Sequence, residues 1–399
     1  MSIITDSKKI EEILNRGVEE VIVKQHLEKR LRKGEKLRVK FGIDPTGPKI
    51  HIGRATALWK LKDFQDLGHQ IVLIVGDFTA QIGDASDKTS MRRPLTEKEV
   101  KENMKDYKKQ IGRILNIDKV EIRHNSEWLN KVSWKEKLSL SMKFTAQQMI
   151  QRRNFKERWN KDKPIGLHEL DYPLLQGYDS MAVKADVEVG GFDQLFNLKT
   201  GRDIQKIFKQ PPQDIMTLKM LFGLDGRKMS TSWGNVINIT EEPGEMYGKI
   251  MSMKDELIGD YFELATKIPL SEIKEIKKHL KAKILNPREA KARLAKELCQ
   301  MYWGKNKAAA AEKEFNKVFK EKKLPSKIPL FKPSKKILNI LQLLLEAKLV
   351  SSKSEAKRVV QQGGVKINGK PETNWRKTIE LKKGMVLQVG KRRFAKTKI

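Results

Sequence analysis

The run Ile71-Val72-Leu73-Ile74-Val75 is apolar at every position, and it ends a strand, loop, helix, strand succession that begins at Leu37. A strand without polar alternation is buried on both faces, the condition of a parallel strand covered by helices. The preceding pieces agree with that reading. Leu37 to Gly42 is a short β run, Asp44-Pro45-Thr46-Gly47-Pro48 breaks it, His51-Ile52-Gly53-Arg54 opens a helix reaching about Leu67, and Gly68 closes it. A βαβ unit of this kind is expected to be right-handed and to deliver its loops to a crevice at the carboxyl edge of the sheet.

The rest of the chain divides around that unit. Residues 1–34 read as helical, on Ile10, Ile13, Leu14, Val18, Val21 and Ile22 at spacings of three and four. Residues 77–93 are rich in Gly, Asp, Ser and Thr and read as a loop at the sheet's ligand edge, Glu97–Leu115 as a helix and Val120–Arg123 as a third strand. A polar helical insertion is expected near 126–165, and Val187–Val189 runs into Gly190-Gly191. From about 240 to 325 the pattern is helical, and Pro325, Pro329 and Pro333 then mark a stiff linker. Beyond it, helices are expected near Ile337–Ala347 and Ser354–Gln362 and strands near Val365–Ile367 and Met385–Val389, with Asn368-Gly369 as a turn. The fold class is α/β: a doubly wound parallel sheet, then an all-α domain, then a small α+β domain.

Charge separates the last domain from the others. The chain carries a net +32, and residues 326–399 hold 19 Lys or Arg against four Glu and no Asp. Such a surplus suits a polyanion, and its concentration at the carboxyl end marks a nucleic-acid-binding region. One cysteine, Cys299, excludes an intramolecular disulfide and a cysteine zinc site. The six histidines show no pair at ligand spacing, so no structural metal is expected. No apolar run approaches a membrane span, and Met1–Lys9 lacks a signal-peptide core, which makes the cytoplasm the expected compartment.

Two segments carry phosphate chemistry. Gly42-Ile43-Asp44-Pro45-Thr46 followed by His51-Ile52-Gly53-Arg54 puts a helix amino terminus, with its free N–H groups, beside a glycine that leaves room for a nucleotide. Lys228-Met229-Ser230-Thr231-Ser232, preceded by Gly223-Leu224-Asp225-Gly226-Arg227, puts a lysine on a loop able to close over a triphosphate. Taken singly, His51 could be a helix cap and Lys228 a solvated basic turn. In this order on a doubly wound sheet, however, the two segments resemble the HIGH and KMSKS signatures of class I aminoacyl-tRNA synthetases. Tyr172-Pro173-Leu174-Leu175-Gln176-Gly177-Tyr178-Asp179 and Gly190-Gly191-Phe192-Asp193-Gln194 resemble the amino-acid pocket and adenylate segments of the bacterial tyrosyl-tRNA synthetase family. Lys353-Ser354-Glu355-Ala356-Lys357-Arg358 through Gly363-Gly364-Val365-Lys366-Ile367-Asn368-Gly369 resembles the ribosomal-protein S-four-like module that ends those enzymes.

The resemblance implies a Rossmann-like catalytic domain over 1–235 with its insertion near 126–165, an anticodon-recognition helical domain over 236–325, a linker over 326–333 and an RNA-binding domain over 334–399. It implies L-tyrosine, ATP with Mg²⁺ and tRNA(Tyr) as ligands, and a homodimer whose interface falls at the insertion. Thr46, His51 and Lys228 take the catalytic places. Gly42, Asp44, Gly53, Arg54, Gly191, Asp193 and Thr231 match ATP and adenylate positions. Lys40, Asp84, Tyr172, Gln176, Asp179 and Gln194 match tyrosine positions. Lys353, Lys357, Arg358, Lys366 and Lys370 form the RNA face. Four residues depart from the family pattern: Arg54 replaces the last histidine of HIGH, Thr231 the second lysine of KMSKS, Lys40 a tyrosine near the substrate phenol, and Phe192 a small polar residue. The rival readings are a tryptophanyl-tRNA synthetase, which shares both signatures, and an RNA-binding protein that has lost catalysis.

Overall fold

A computed structural model describes residues 3–84, 94–321, 323–326, 328–390 and 393–398. The chain forms two compact units, Met1–Ala309 and Ala310–Ile399.

The first unit is built on six strands: β1 (Val18–Ile22), β2 (Arg38–Ile43), β3 (Gln70–Val75), β4 (Val120–His124), β5 (Val187–Gly191) and β6 (Asp214–Leu218). Their order is β1-β6-β5-β2-β3-β4. Strands β2 to β6 are parallel, and β1 is antiparallel to β6 at the edge. The chain moves outward from β2 through β3 to β4, then returns to β5 on the other side of β2. That reversal opens the crevice at the carboxyl ends of β2 and β5, where doubly wound sheets hold ligands. The apolar run Ile71–Val75 is fully buried in β3, as its composition requires.

Residues 1–34 are not one helical stretch. Helices Ser7–Asn15 and Lys24–Arg32 flank β1, and Gly17, at φ +61°, turns the chain between the first helix and the strand. The β-branched Val18, Val21 and Ile22 pair with β6, so tertiary pairing overrides the helical spacing. The segment read as a loop after β3 contains a short helix, Thr79–Ile82, and its residues 85–93 lie outside the described residues. Glu97–Leu115 is two helices, Glu97–Met104 and Tyr107–Ile111, the first started by a capping box between Thr96 and Glu99. The insertion consists of four short helices between Ser126 and Trp159.

The helices from Pro243 to Trp303 lie in the same compact unit as the sheet. Trp59 Nε1 donates to Tyr302 Oη at 3.1 Å, and the buried Arg16 guanidinium donates to the carbonyls of Thr266 and Ile268. These bonds fasten the helical segment to the amino-terminal third of the chain.

The second unit contains β7 (Leu330–Phe331), β8 (Ile337–Asn339), β9 (Val365–Ile367), β10 (Lys370–Glu372), β11 (Thr378–Glu380), β12 (Val386–Val389) and β13 (Arg393–Thr397). Five of them form the sheet β10-β9-β12-β13-β7, and β11 pairs with β8. The expected helix from Ile337 begins instead at Ile340, because Asn339 ends β8 and caps Leu341. Asn368 and Gly369, at φ +47° and +81°, make the tight turn of the β9–β10 hairpin.

Candidate active site

The carboxyl edge of the first sheet encloses a cavity of about 330 Å³, lined by β2, the start of the helix Ile52–Asp66, the helix Leu167–Ala182, β5 and the loop bearing Lys228. It gathers residues from five separate stretches of sequence. Gly42, Asp44, Thr46, His51, Gly53, Arg54, Asp84, Tyr172, Gln176, Asp179, Gly191, Asp193, Gln194 and Lys228 all line it. Lys40 and Thr231 do not. Lys40 is fully buried behind the wall, and Thr231 is exposed at the start of the 3-10 turn Thr231–Trp233.

One end of the cavity is a network of buried acceptors. Asp179 accepts from Trp128 Nε1 at 2.8 Å and from Asn125 Nδ2 at 3.3 Å, and Asn125 also donates to Thr79 Oγ1 at 2.9 Å. Thr79 and Tyr172 in turn donate to opposite oxygens of Asp44, each at 2.8 Å. Gly76 is required beneath this network, since a Cβ there would stand 2.1 Å from Asp44 Oδ1. Burial pushes the Asp179 carboxyl up to about 7, against the opposing charge of Lys40 and the two donated hydrogen bonds. The Tyr172 phenol is raised well above its ordinary range by burial and by Asp44. Spacing on the helix puts Tyr172, Gln176 and Asp179 on the cavity side, and Asp84 closes the pocket, bonded to Gln194 Nε2 at 2.6 Å and ion-paired with Arg152.

Donors occupy the opposite end. His51 caps the helix Ile52–Asp66 by accepting from the Arg54 backbone N–H at Nδ1. Burial, with Arg54 and Lys228 adding repulsion, lowers the imidazole to about 3, so it is neutral and carries its proton on Nε2. Arg54 donates to Thr46 Oγ1 at 2.5 Å and to Tyr107 Oη at 3.4 Å. Lys228 Nζ lies 3.0 Å from Asp193 Oδ2 across the mouth. Arg227, next to it in the chain, turns to Asp225 and to the face of Trp233.

The glycines show what the space accommodates. A Cβ on Gly42 would meet no protein atom within 4 Å, so the empty volume above β2 serves something other than the chain. A Cβ on Gly53 would clash with Met229 Sδ at 2.7 Å, which ties the two signature segments together sterically. A flat group can therefore lie against bare backbone with its anionic end among His51, Arg54 and Lys228. Among the described residues no three His, Cys, Asp or Glu side chains cluster as a metal site. Cys299 is buried against the Pro243 carbonyl and does not line the cavity.

Asn125, Trp128, Thr79 and Glu188 were not read from the sequence. Asn125 and Trp128 directly follow β4, and that position at the carboxyl end of a parallel strand was the one available signal.

The exposed side chains of Lys353, Lys357, Arg358, Lys366 and Lys370 are carried by the helix Lys353–Gln361 and the β9–β10 hairpin of the second unit. Lys357 and Arg376 sit over the Trp375 ring, 4.4 and 4.5 Å from its centroid.

Comparison with known proteins places this geometry. Residues 32–320 match the family of class I tRNA synthetases for tryptophan and tyrosine, and residues 320–395 match the SYY-like C-terminal domain of tyrosine-tRNA ligases. The tyrosine-tRNA ligase of Moorella thermoacetica is 45% identical over 96% of this chain and 94% of its own length. That of Haemophilus influenzae is 44% identical over 99% and 98%. The structure of tyrosyl-tRNA synthetase complexed with L-tyrosine from Archaeoglobus fulgidus has the same fold, with a TM-score of 0.62 at 23% identity, over 77% of this chain and 99% of that one. The chain belongs to the tyrosyl-tRNA synthetase family of class I aminoacyl-tRNA synthetases.

Proposed function

We propose that this protein is a tyrosine-tRNA ligase, which activates L-tyrosine with ATP and transfers the tyrosyl group to the 3′ end of tRNA(Tyr). The observation that carries the reading is Asp179: a fully buried carboxylate aimed into the cavity, with both oxygens oriented by Trp128 and Asn125. A phenol entering there supplies the remaining donor, whereas a benzyl group leaves the acceptor unpaired. Tyr172, Gln176 and Asp84 then meet the amino group.

The tyrosine carboxylate attacks the α-phosphorus; a P–O bond forms, the α,β-bridging bond breaks, and pyrophosphate leaves with its electron pair. The carboxylate is already ionised, so no general base is needed, and rate comes from positioning and from donors aimed at the developing charge. Thr46, neutral His51 through its Nε2–H, and Lys228 are those donors, with Arg54 and the helix amino terminus behind them. Gly42, Gly53 and Gly191 admit the nucleotide, and Asp44 and Asp193 orient it and the lysine. Thr231, exposed on its loop, reaches the nucleotide only if that loop closes. Mg²⁺ arrives as part of the ATP substrate. A ribose hydroxyl of the terminal adenosine then attacks the carbonyl of the mixed anhydride.

The helical segment over 236–325 reads the anticodon, and the domain over 334–399 grips tRNA backbone through Lys353, Lys357, Arg358, Lys366 and Lys370. The protein works in the cytoplasm as a homodimer; Trp134 and Leu138 on one helix of the insertion, with Met142 just past its end, form an exposed apolar stripe, as a covered face requires. Amino-acid-dependent ATP–pyrophosphate exchange tests the activity. Exchange with tyrosine alone is expected. Exchange with tryptophan instead would reassign the pocket, and none at all would leave an RNA-binding protein.

A further inference from the structure

A charge pair that no step above uses runs through the cavity wall, with Glu188 lining the pocket and Lys40 behind it. Lys40 on β2 and Glu188 on β5 are 0% and 1% exposed at the side chain, with Nζ 2.8 Å from Oε1. Lys40 also donates to the backbone carbonyl of Gln176 at 3.0 Å and to Ser180 Oγ at 2.7 Å. Glu188 collects donors from three further side chains: Ser180, Gln213 and, at 3.2 Å, Nε2 of Gln176. The oxygen of that same Gln176 amide accepts from Asn197 Nδ2 at 2.9 Å.

An amide side chain can turn by 180° and exchange its donor for its acceptor, and only its partners decide which way it points. An ionised Glu188 can only accept, so Gln176 is held with its nitrogen toward Glu188 and its oxygen on the other side, where Asn197 Nδ2 meets it. Oε1 keeps one lone pair. A substrate ammonium, which has three donors and no acceptor, can use that oxygen and would be repelled by the amide nitrogen. Lys40 contributes twice: it pairs with the buried Glu188 carboxyl group, and it pins the Gln176 backbone to β2.

We propose that Lys40 and Glu188 are positioning residues that fix the Gln176 amide with its oxygen toward the amino group of the bound amino acid. The proposal rests on the tyrosine reading of the cavity. It also revises the part expected of Lys40, which stands behind the pocket rather than against the substrate phenol.

Two charge-neutral double variants separate this from a merely structural role. Lys40→Met with Glu188→Met removes the pair and leaves the Gln176 amide nitrogen without an acceptor. Lys40→Met with Glu188→Gln removes the charge but keeps an amide oxygen in place to accept. The readout is the preference for L-tyrosine over its des-amino analogue, 3-(4-hydroxyphenyl)propionate, from dissociation constants measured by equilibrium dialysis, alongside KM for tyrosine and for ATP. The double-Met variant is expected to lose about tenfold of that preference, the worth of one hydrogen bond to a charged group, and to raise the tyrosine KM more than the ATP KM. The Met/Gln variant should keep the preference to within about threefold, half a decade or less of that loss. The proposal is overturned if the double-Met variant keeps the wild-type preference, if affinity for both analogues falls equally, or if both variants lose their cooperative thermal unfolding, which would make the pair a core contact. A wild-type protein that binds neither ligand would instead overturn the tyrosine reading beneath it.

Discussion

The two compact units use charge in opposite ways. In Met1–Ala309, Lys40, Lys60, Arg158, Glu169, Asp179 and Glu188 are buried and partnered, Lys60 by the Ile13 carbonyl and Arg158 by Glu169, whereas in Ala310–Ile399 the one buried polar side chain among the described residues is Thr397. The second unit has an apolar core of Leu, Ile, Val, Ala and Met, and its lysines stand outside it. The contrast follows from what the proposed function asks each unit to recognise. A zwitterion with a phenol needs fixed acceptors and donors whose desolvation cost is met before it arrives. A polyanion needs only cations near its phosphates, where counterion release supplies the affinity.

The comparison breaks most visibly at Lys228. Lys228→Ala removes the cation that the proposed mechanism aims at the leaving pyrophosphate, and adenylate formation followed in single turnovers should slow by about 2–4 kcal/mol, or roughly thirtyfold to a thousandfold. Rates within threefold of wild type would assign the triphosphate to other groups. In the second unit, replacing Lys353, Lys357 and Arg358 together by Ala should cost affinity for tRNA gradually. The slope of log affinity against log salt should flatten by about one for each phosphate left without its cation, nearly three in all. An unchanged slope would move the RNA face elsewhere.

The smallest effect is on stability, and its sign is opposite to that of an ordinary surface carboxylate. Asp179 rises from 3.8 to about 7 in the folded, ligand-free protein, so the folded state keeps a proton that the unfolded chain gives up. Stability contributed by this group is therefore present below pH 4 and lost as pH rises toward 7. Asp179→Asn has no proton to lose. Its melting temperature relative to wild type should climb by a few degrees between pH 4.5 and 7.5, given that about 1 kcal/mol moves the midpoint of a domain this size by roughly 2–4 °C. A pH-independent difference would contradict the buried, poised carboxyl.

What the sequence could say depended on how far apart the interacting residues stand. The β9–β10 turn was legible because Asn368 and Gly369 carry their conformational preference in two adjacent residues. The residues that line the cavity were legible because they fall in short local motifs, and Gly42 and His51 needed no distant partner to be noticed. Strand β1 was not, since Val18 and Ile22 are apolar at helical spacing and only β6 makes them a strand. Nor was the part played by Lys40. Its partner Glu188 lies on a different strand, and a long-range ion pair leaves no local trace. Asn125 and Trp128 were missed for the same reason: alone, neither differs from a cap or a core aromatic.

The account turns on Asp179 as the acceptor for a phenol, and the most direct measurement is the ratio of kcat/KM for tyrosine to that for phenylalanine in pyrophosphate exchange, in wild type and in Asp179→Asn. The ratio should collapse by about a hundredfold or more, through loss of tyrosine use, on the worth of a charge-assisted hydrogen bond in a buried site, with the ATP KM little moved. A variant that still prefers tyrosine as strongly as the wild type would show that the phenol is read somewhere else.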